Sequence, residues 1–458
     1  MILQRFADYA AGLNNTDLPD AAVHAAKRAV IDWFASALRG GLEPPATLLA
    51  NAFADASGSA ILYPSGRTTD PRTAALINGA ASHTIEFDDI YRDGLYHPGA
   101  PVISAVLALA QAKGLNGRDF LRSVIAGYEV STRMAAAVNP AHYEFWHTTG
   151  TIGTIGAAAG AAAVLNLDGD GMAHAMANAG TMAAGLQQAF RGEAMAKPMH
   201  TAHAAQTGVM LALAAQHGVT GVLDILEGPR GFGAAMCRDP NNPAGPDWQA
   251  AADDLGKSFT IERMTFKNHA ACGHIHAAID GVLALRTEHG LKPKDIASIH
   301  VGSFQKALEI CGNMNPQTIF EAKFSLPYCA AMMIREGRVR LDAFSAEWLQ
   351  DRELRDLITK VEVSVDAEID AGFPLRRAAR ITINTTGGET LEHYAPTRKG
   401  DPDNPLSDAE LADKFLEITN PVLGEDGAAA FLDHLWRLDE ADDLCALPLI
   451  PVKASAAQ

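Results

Sequence analysis

At 458 residues the chain is longer than one hydrophobic core usually grows, so two domains are expected. Its 37 basic and 54 acidic residues leave a net charge of −17, which argues against a nucleic-acid partner. A small anion held by a few converging cations stays open.

In chain order, residues 20–38 repeat apolar positions at helical spacing and stop at Gly40-Gly41, predicting a helix. The runs TAALINGAA and AVLALAQA predict two buried helices, and the segment HTIEFDDIYRDGLYHPG lies between them. Helices are predicted over 101–113, 118–138, 151–165, 171–189 and 201–217. They are rich in Ala and Gly, which lets backbones approach, and no heptad is sustained, so they form a compact bundle. The run GTIGTIGAAAGAAAVLNL is barely long enough to span a bilayer and is mostly Ala and Gly. It predicts an internal helix, and no membrane partner.

After Phe266 the pattern changes. Residues 296–304, 360–369 and 379–395 alternate with period two and predict strands, the last with a turn at Gly387-Gly388. Helical runs over 274–289 and 323–336 interleave with them, and LSDAELADKFLEIT predicts a further helix. The tail PVKASAAQ is predicted to be frayed. The expected architecture is therefore mainly α. Residues 1–265 form the first part of a helical domain, 266–400 a smaller α+β domain, and 401–458 a helical return to the first.

Five scattered cysteines without a CxxC pair predict reduced thiols and a cytoplasmic protein. The N-terminal MILQRFADYAAG lacks a basic flank and apolar run, so no secretory signal is expected.

Four clusters can carry chemistry. The first is the His83–Gly99 segment, with Glu86, Asp88, Asp89, Asp93 and His97 between apolar helices; buried acids and imidazoles are costly unless paired or functional. The second is Tyr143-Glu144-Phe145-Trp146-His147 before a Gly-rich helix, and the third is Lys197-Pro198-Met199-His200 with His203 one turn on. A lysine in the first turn of a helix opposes the dipole, and makes sense if an anion bridges the two. The fourth, FKNHAACGHIHAAID, holds Lys267, His269, Cys272, His274 and His276, without the second matched pair a structural zinc needs. Each cluster also has a structural reading as a cap, a turn or a solvated face. The spacing of Gly150, Gly153, Gly156 and Gly160 differs from GxGxxG and no strand precedes it, so no dinucleotide cofactor is expected. Imidazoles, lysines and carboxylates without a cofactor signature suit proton chemistry on a polycarboxylate.

In ALINGAASHTIEFDD, HPGAPVISAVLALA, AGYEVSTRM, HTTGTIGTIGAAAGAAAVL, KPMHTAHAAQTGVMLALAAQHGVTG, FKNHAACGHIHAAID, FSLPY and KGDPDNPLSDAELADKF, the chain resembles the MmgE/PrpD family. That family includes 2-methylcitrate dehydratase, cis-aconitate decarboxylase and iminodisuccinate epimerase. The resemblance implies a large all-helical domain built from both chain ends, a smaller α+β lid with the site in the cleft between them, and a homodimer. Carried over by motif, it implicates Asp88, Asp89, His97, His147, Lys197, His200 and His276, with Lys267 a further carboxylate binder. Glu86 stands where the decarboxylase-like members often carry Asp, and Tyr143 and Trp146 replace what is often a plain GFH context. The expected activity is a cofactor-independent lyase or isomerase on a small di- or tricarboxylate, without metal. Dehydration of a 2-methylcitrate-like hydroxy acid leads. Epimerisation of an iminodisuccinate-like amino dicarboxylate, with Tyr143 and Lys197 as a possible pair, comes next, then decarboxylation of a cis-aconitate-like acid. Expected catalytic residues are His97, His147, Lys197, Asp88, Asp89 and Tyr143, and expected substrate-binding residues His200, Lys267, His276 and Glu86. The rivals are a polycarboxylate-binding dimer without activity, and a metal-dependent hydrolase using His83, Glu86, Asp88, Asp89 and His97 as ligands.

Overall fold

The apolar repeats of the chain are spent on helices that bury small side chains against one another. The computed structural model describes residues 1–55, 57–190, 192, 194–240, 242–373 and 375–446, and the expected frayed tail PVKASAAQ lies outside them. The fold is mainly α and divides into two units. One comprises Met1–Thr265 with the chain from Ser407 onward, and the other is Phe266–Leu406.

The first unit contains α1 (Ile2–Gly12), α2 (Asp20–Gly40), α3 (Ala46–Phe53), α4 (Pro71–Thr84), α5 (Gly99–Lys113), α6 (Gly117–Val138), α7 (Thr148–Val164), α8 (Gly169–Met182) and α9 (Ala196–Gln216). It is not all-helical: a two-residue antiparallel pair, β1 (Ala60–Ile61) and β2 (Thr68–Thr69), precedes α4. Local chemistry sets the ends. Asp70 accepts from the Arg72 and Thr73 N–H groups ahead of Pro71, and Gly114 at φ 70° stops α5. The predicted helix over 171–189 ends early, at Met182, because Gly185 takes φ 141° and Leu186 pairs with Trp146.

Helix α7 is buried along its whole length and packs on α5, α6, α8 and α9. Its glycines serve close approach rather than phosphate binding. A Cβ on Gly156 would lie 2.5 Å from Ser131 Cβ of α6, and one on Gly208 of α9 would lie 2.5 Å from Ala157 Cβ of α7. Helices Asp408–Leu423 and Glu425–Trp436 pack on α2, the first opened by a capping box of Ser407 and Glu410.

The second unit holds a four-stranded sheet of β3 (Ile296–Ser303), β4 (Val361–Val365), β5 (Ala379–Thr385) and β6 (Thr390–Ala395) in the order β4-β3-β5-β6. β3 and β4 run parallel and the other neighbours antiparallel. The strand predicted over 360–369 stops at Val365, because the Asp366 carboxylate accepts from the Glu368 and Ile369 N–H groups and starts a short helix, Ala367–Gly372. Helices His276–His289 and Leu326–Glu336 belong to the same unit. Among the described residues no helix is long and apolar enough to cross a membrane.

Candidate functional site

The end of α4, the loop after it and the starts of α5, α7 and α9 bring four histidines and Lys197 together in the first unit. His83 is the penultimate residue of α4 and is fully buried. Its Nδ1 lies 2.7 Å from Asp88 Oδ2, and His97 Nδ1 lies 3.2 Å from the same oxygen. Burial would raise the Asp88 carboxyl, but the two imidazoles outweigh it and hold the group well below the usual carboxylate range. An ionised Asp88 can only accept, so the His83 Nδ1 that meets it carries the proton of that bond, while His97 Nδ1 faces the same oxygen. His83 Nε2 and Asp88 Oδ1 are buried without a hydrogen-bond partner.

Asp89 faces the other way. It accepts from the Gly99 N–H at 3.0 Å and from the Tyr128 hydroxyl at 2.8 Å, tying the loop to the first turn of α5 and to α6. Burial, with the charges of Asp32 and Asp88, pushes it well above the carboxylate range. Of the expected Asp pair, Asp88 therefore touches the imidazoles and Asp89 braces the backbone beneath His97.

His147 immediately precedes α7, and its backbone N–H donates to the Gly185 carbonyl. Its ring stacks 5.7 Å from His83, and its Nδ1 lies 3.0 Å from His200 Nδ1. Burial is the largest cause that lowers His147 well below the ordinary imidazole value, followed by the charges of His83 and Lys197. His200 is pushed down to about 4, chiefly by burial. Two neutral rings joined through Nδ1 must share one proton there. The donor of that bond then has a basic Nε2 and the acceptor a protonated one, so the pair offers one base and one donor.

Lys197 and His200 are three residues apart at the start of α9 and so lie on one face. The Lys197 ammonium pairs with the Glu86 carboxylate and sits over the Phe190 ring, 5.6 Å from its centroid. Burial pulls Lys197 down, but Glu86 in contact, with Asp88 and Tyr143 nearby, outweighs it and raises the net value. Tyr143 is half-buried in the turn ahead of His147, within the electrostatic reach of Lys197. Glu86 itself is buried and holds a left-handed backbone, φ 61°, which is unusual outside Gly, Asn and Asp.

Lys267 and His276 belong to the second unit. Both are buried; His276 Nε2 lies 3.1 Å from the Ala271 carbonyl, and its ring meets His269 edge to face at 5.2 Å. Burial, then the charges of His269, Arg398 and Lys267, keep His276 well below the usual imidazole value. His269 Nε2 lies 2.7 Å from Asp280 Oδ1, so this imidazole is fixed by a carboxylate.

Three ligand atoms, from His83, Asp88 and His97, lie within 4.8 Å of one another and could take a divalent cation. The same contacts are a hydrogen bond between His83 and Asp88 and a close approach of His97 Nδ1 to the same carboxylate. Of the wider ligand set weighed from the sequence, Glu86 is engaged by Lys197 and Asp89 by Tyr128 and Gly99. The five cysteines are thiols, with no disulfide among the described residues.

Several contributors escaped the sequence reading. Lys414 Nζ donates to Asp32 Oδ1 at 2.6 Å and to the Phe87 carbonyl at 2.8 Å, fully buried, and so pins the residue between Glu86 and Asp88. It lies 382 residues from Asp32, within the segment KGDPDNPLSDAELADKF, and nothing in that segment shows that its ammonium reaches Asp32. Tyr128 lies inside the predicted helix over 118–138, and its helical period does not show that its hydroxyl reaches Asp89. Gly185 is the nearest to legible: a Cβ there would stand 3.2 Å from His200 Nδ1 and 3.5 Å from His147 Cβ, and its φ excludes most side chains.

Comparison with known proteins places the chain in a family. Residues 4–244 match the MmgE/PrpD N-terminal domain and residues 269–440 the MmgE/PrpD C-terminal domain. Human cis-aconitate decarboxylase is 25% identical, covering 97% of this chain and 93% of its own length. The cis-aconitate decarboxylase-like protein oryM of Aspergillus oryzae is 26% identical, over 95% and 94% of the two chains. The cis-aconitate decarboxylase of Aspergillus terreus is 23% identical, over 97% and 95%. With both domain models matched along nearly its whole length, the chain belongs to the MmgE/PrpD family of enzymes.

Proposed function

We propose that the protein is a lyase that removes a proton from the carbon beside a carboxylate of a small polycarboxylate and expels a β-hydroxyl as water. The observation that carries this reading is the neutral His147–His200 pair beside a protonated Lys197. One Nε2 of the pair takes the proton; the Lys197 ammonium stabilises the enolate charge as it develops; a protonated Nε2 donates to the departing oxygen. His97, with Nδ1 3.2 Å from Asp88 Oδ2, brings a further imidazole to the pair that can take up a proton. Lys267 and His276 are proposed as carboxylate binders, as the family motif implies.

The relatives named cis-aconitate decarboxylase make decarboxylation a rival. Loss of carbon dioxide requires an acid to protonate the resulting carbanion and no base, whereas two imidazoles are held neutral here, which favours proton abstraction. Epimerisation of an amino dicarboxylate is the second reading. It is supported by the shared Nδ1 proton, since a base and a donor that exchange roles can move a proton between two faces of one carbon.

The test is incubation with hydroxy, amino and unsaturated di- and tricarboxylates, followed by NMR and chiral chromatography. The proposal expects an alkene and water from a hydroxy acid. Stereochemical inversion without net loss would favour the second reading, and carbon dioxide as the sole small product would overturn both.

A further inference from the structure

The Glu86–Lys197 pair assigns a charge to the substrate. Lys197 reaches the histidine cluster, and Glu86 is already in contact with it. Glu86 is buried, its side chain only 9% exposed, so this pair is not a solvated surface bridge that water screens. The backbone at Glu86 is left-handed, a conformation in which Gly, Asn or Asp would be the economical choice. A glutamate kept there in spite of its backbone is kept for its side chain. Asp88, held ionised by two imidazoles, adds a second negative charge to the field at Lys197. Among the described residues, the Lys197 ammonium is thus already met by the Glu86 carboxylate, while His147 and His200 beside it are neutral and add no positive charge for a further carboxylate of a ligand.

We propose that Glu86 is an internal carboxylate that occupies Lys197 in the place a substrate carboxylate would take, and so restricts the enzyme to dicarboxylates over tricarboxylates. The inference rests on the polycarboxylate reading and narrows it. Lys197 remains available to the enolate, because that charge develops only in the transition state, while a ground-state carboxylate has to compete with a tethered one.

Isothermal titration with the unreactive pair succinate and tricarballylate, on wild type and Glu86→Gln, tests this. Wild type is expected to bind succinate more tightly, and Glu86→Gln to shift the ratio of the two constants toward tricarballylate by about tenfold or more, a loss of one repelling charge at close range. Wild type preferring tricarballylate would overturn the proposal without any variant. So would an unchanged ratio in a Glu86→Gln protein whose circular dichroism matches wild type. If neither protein binds either acid, the polycarboxylate reading itself fails, and the inference with it. The distinction is clean because a failed inference still leaves measurable binding.

Discussion

Replacing Lys414 with Met separates the part of the fold that builds the site from the site itself. Lys414 Nζ is fully buried and bonded to Asp32 Oδ1 and to the Phe87 carbonyl, with the Phe87 ring 4.1 Å away. Methionine keeps the volume and removes the charge. It leaves the Asp32 carboxylate without that partner, and breaking one side of a buried pair costs about 3–5 kcal/mol. The Phe87 carbonyl loses its donor, which by itself is worth about 1–3 kcal/mol and overlaps with the first term rather than adding to it. The expected loss in urea unfolding is therefore about 3–5 kcal/mol, read as a lower midpoint at similar slope. Because Phe87 lies between Glu86 and Asp88, activity should fall even where the protein is still folded. The double variant Asp32→Leu with Lys414→Met removes both charges and should recover most of the stability. A single-variant loss below about 1 kcal/mol, or a double variant as unstable as the single, would refute the reasoning.

Three further outcomes follow from the same geometry. His142 is buried and pushed down to about 4, chiefly by burial, so in the folded protein it binds fewer protons than the free imidazole does between pH 6.5 and 4. Stability should thus be level above pH 7 and fall as pH drops from 6.5 to 4, by up to about 3 kcal/mol for this group, and His142→Gln should flatten that fall in urea melts. Gly185→Ala should lower activity at least tenfold, as a rough estimate, while the protein stays folded, because its Cβ would press on His200 Nδ1 at 3.2 Å and disturb the shared proton. Dialysis against a chelator should leave activity unchanged; stoichiometric zinc or iron by mass spectrometry, with activity restored only on adding it back, would instead install a cation at His83, Asp88 and His97.

How much of this was legible in the sequence depended on whether the determinants were local. Helical period and caps located most of the long helices of the first unit to within a few residues, and period-two alternation located the sheet of the second. The prediction over 171–189 overran because a left-handed-side glycine and a two-residue bridge to Trp146 are tertiary facts, invisible to periodicity. The 360–369 strand overran where a single capping carboxylate, Asp366, outweighed alternation. At the site, residue types and motif order brought His97, His147, Lys197, His200, Asp88 and Glu86 to notice together. They did not distinguish Asp88 from its neighbour Asp89, since a one-residue step in an irregular loop decides which carboxylate meets the imidazoles. Nor did they mark His83 as more than a possible ligand, although its ring touches both His97 and His147. Lys414 could not be found at all without the fold that brings it to Asp32.

The central claim is that His147 and its partner move a proton on carbon, and solvent isotope exchange tests it most directly. Wild-type protein in deuterated water, given the di- or tricarboxylate it converts, should wash deuterium into the position beside a carboxylate in recovered substrate. His147→Gln, with an unchanged circular dichroism spectrum, should lose about 10²–10⁴-fold of that exchange. Turnover with no deuterium at that carbon, or a His147→Gln protein that exchanges at the wild-type rate, would contradict the account.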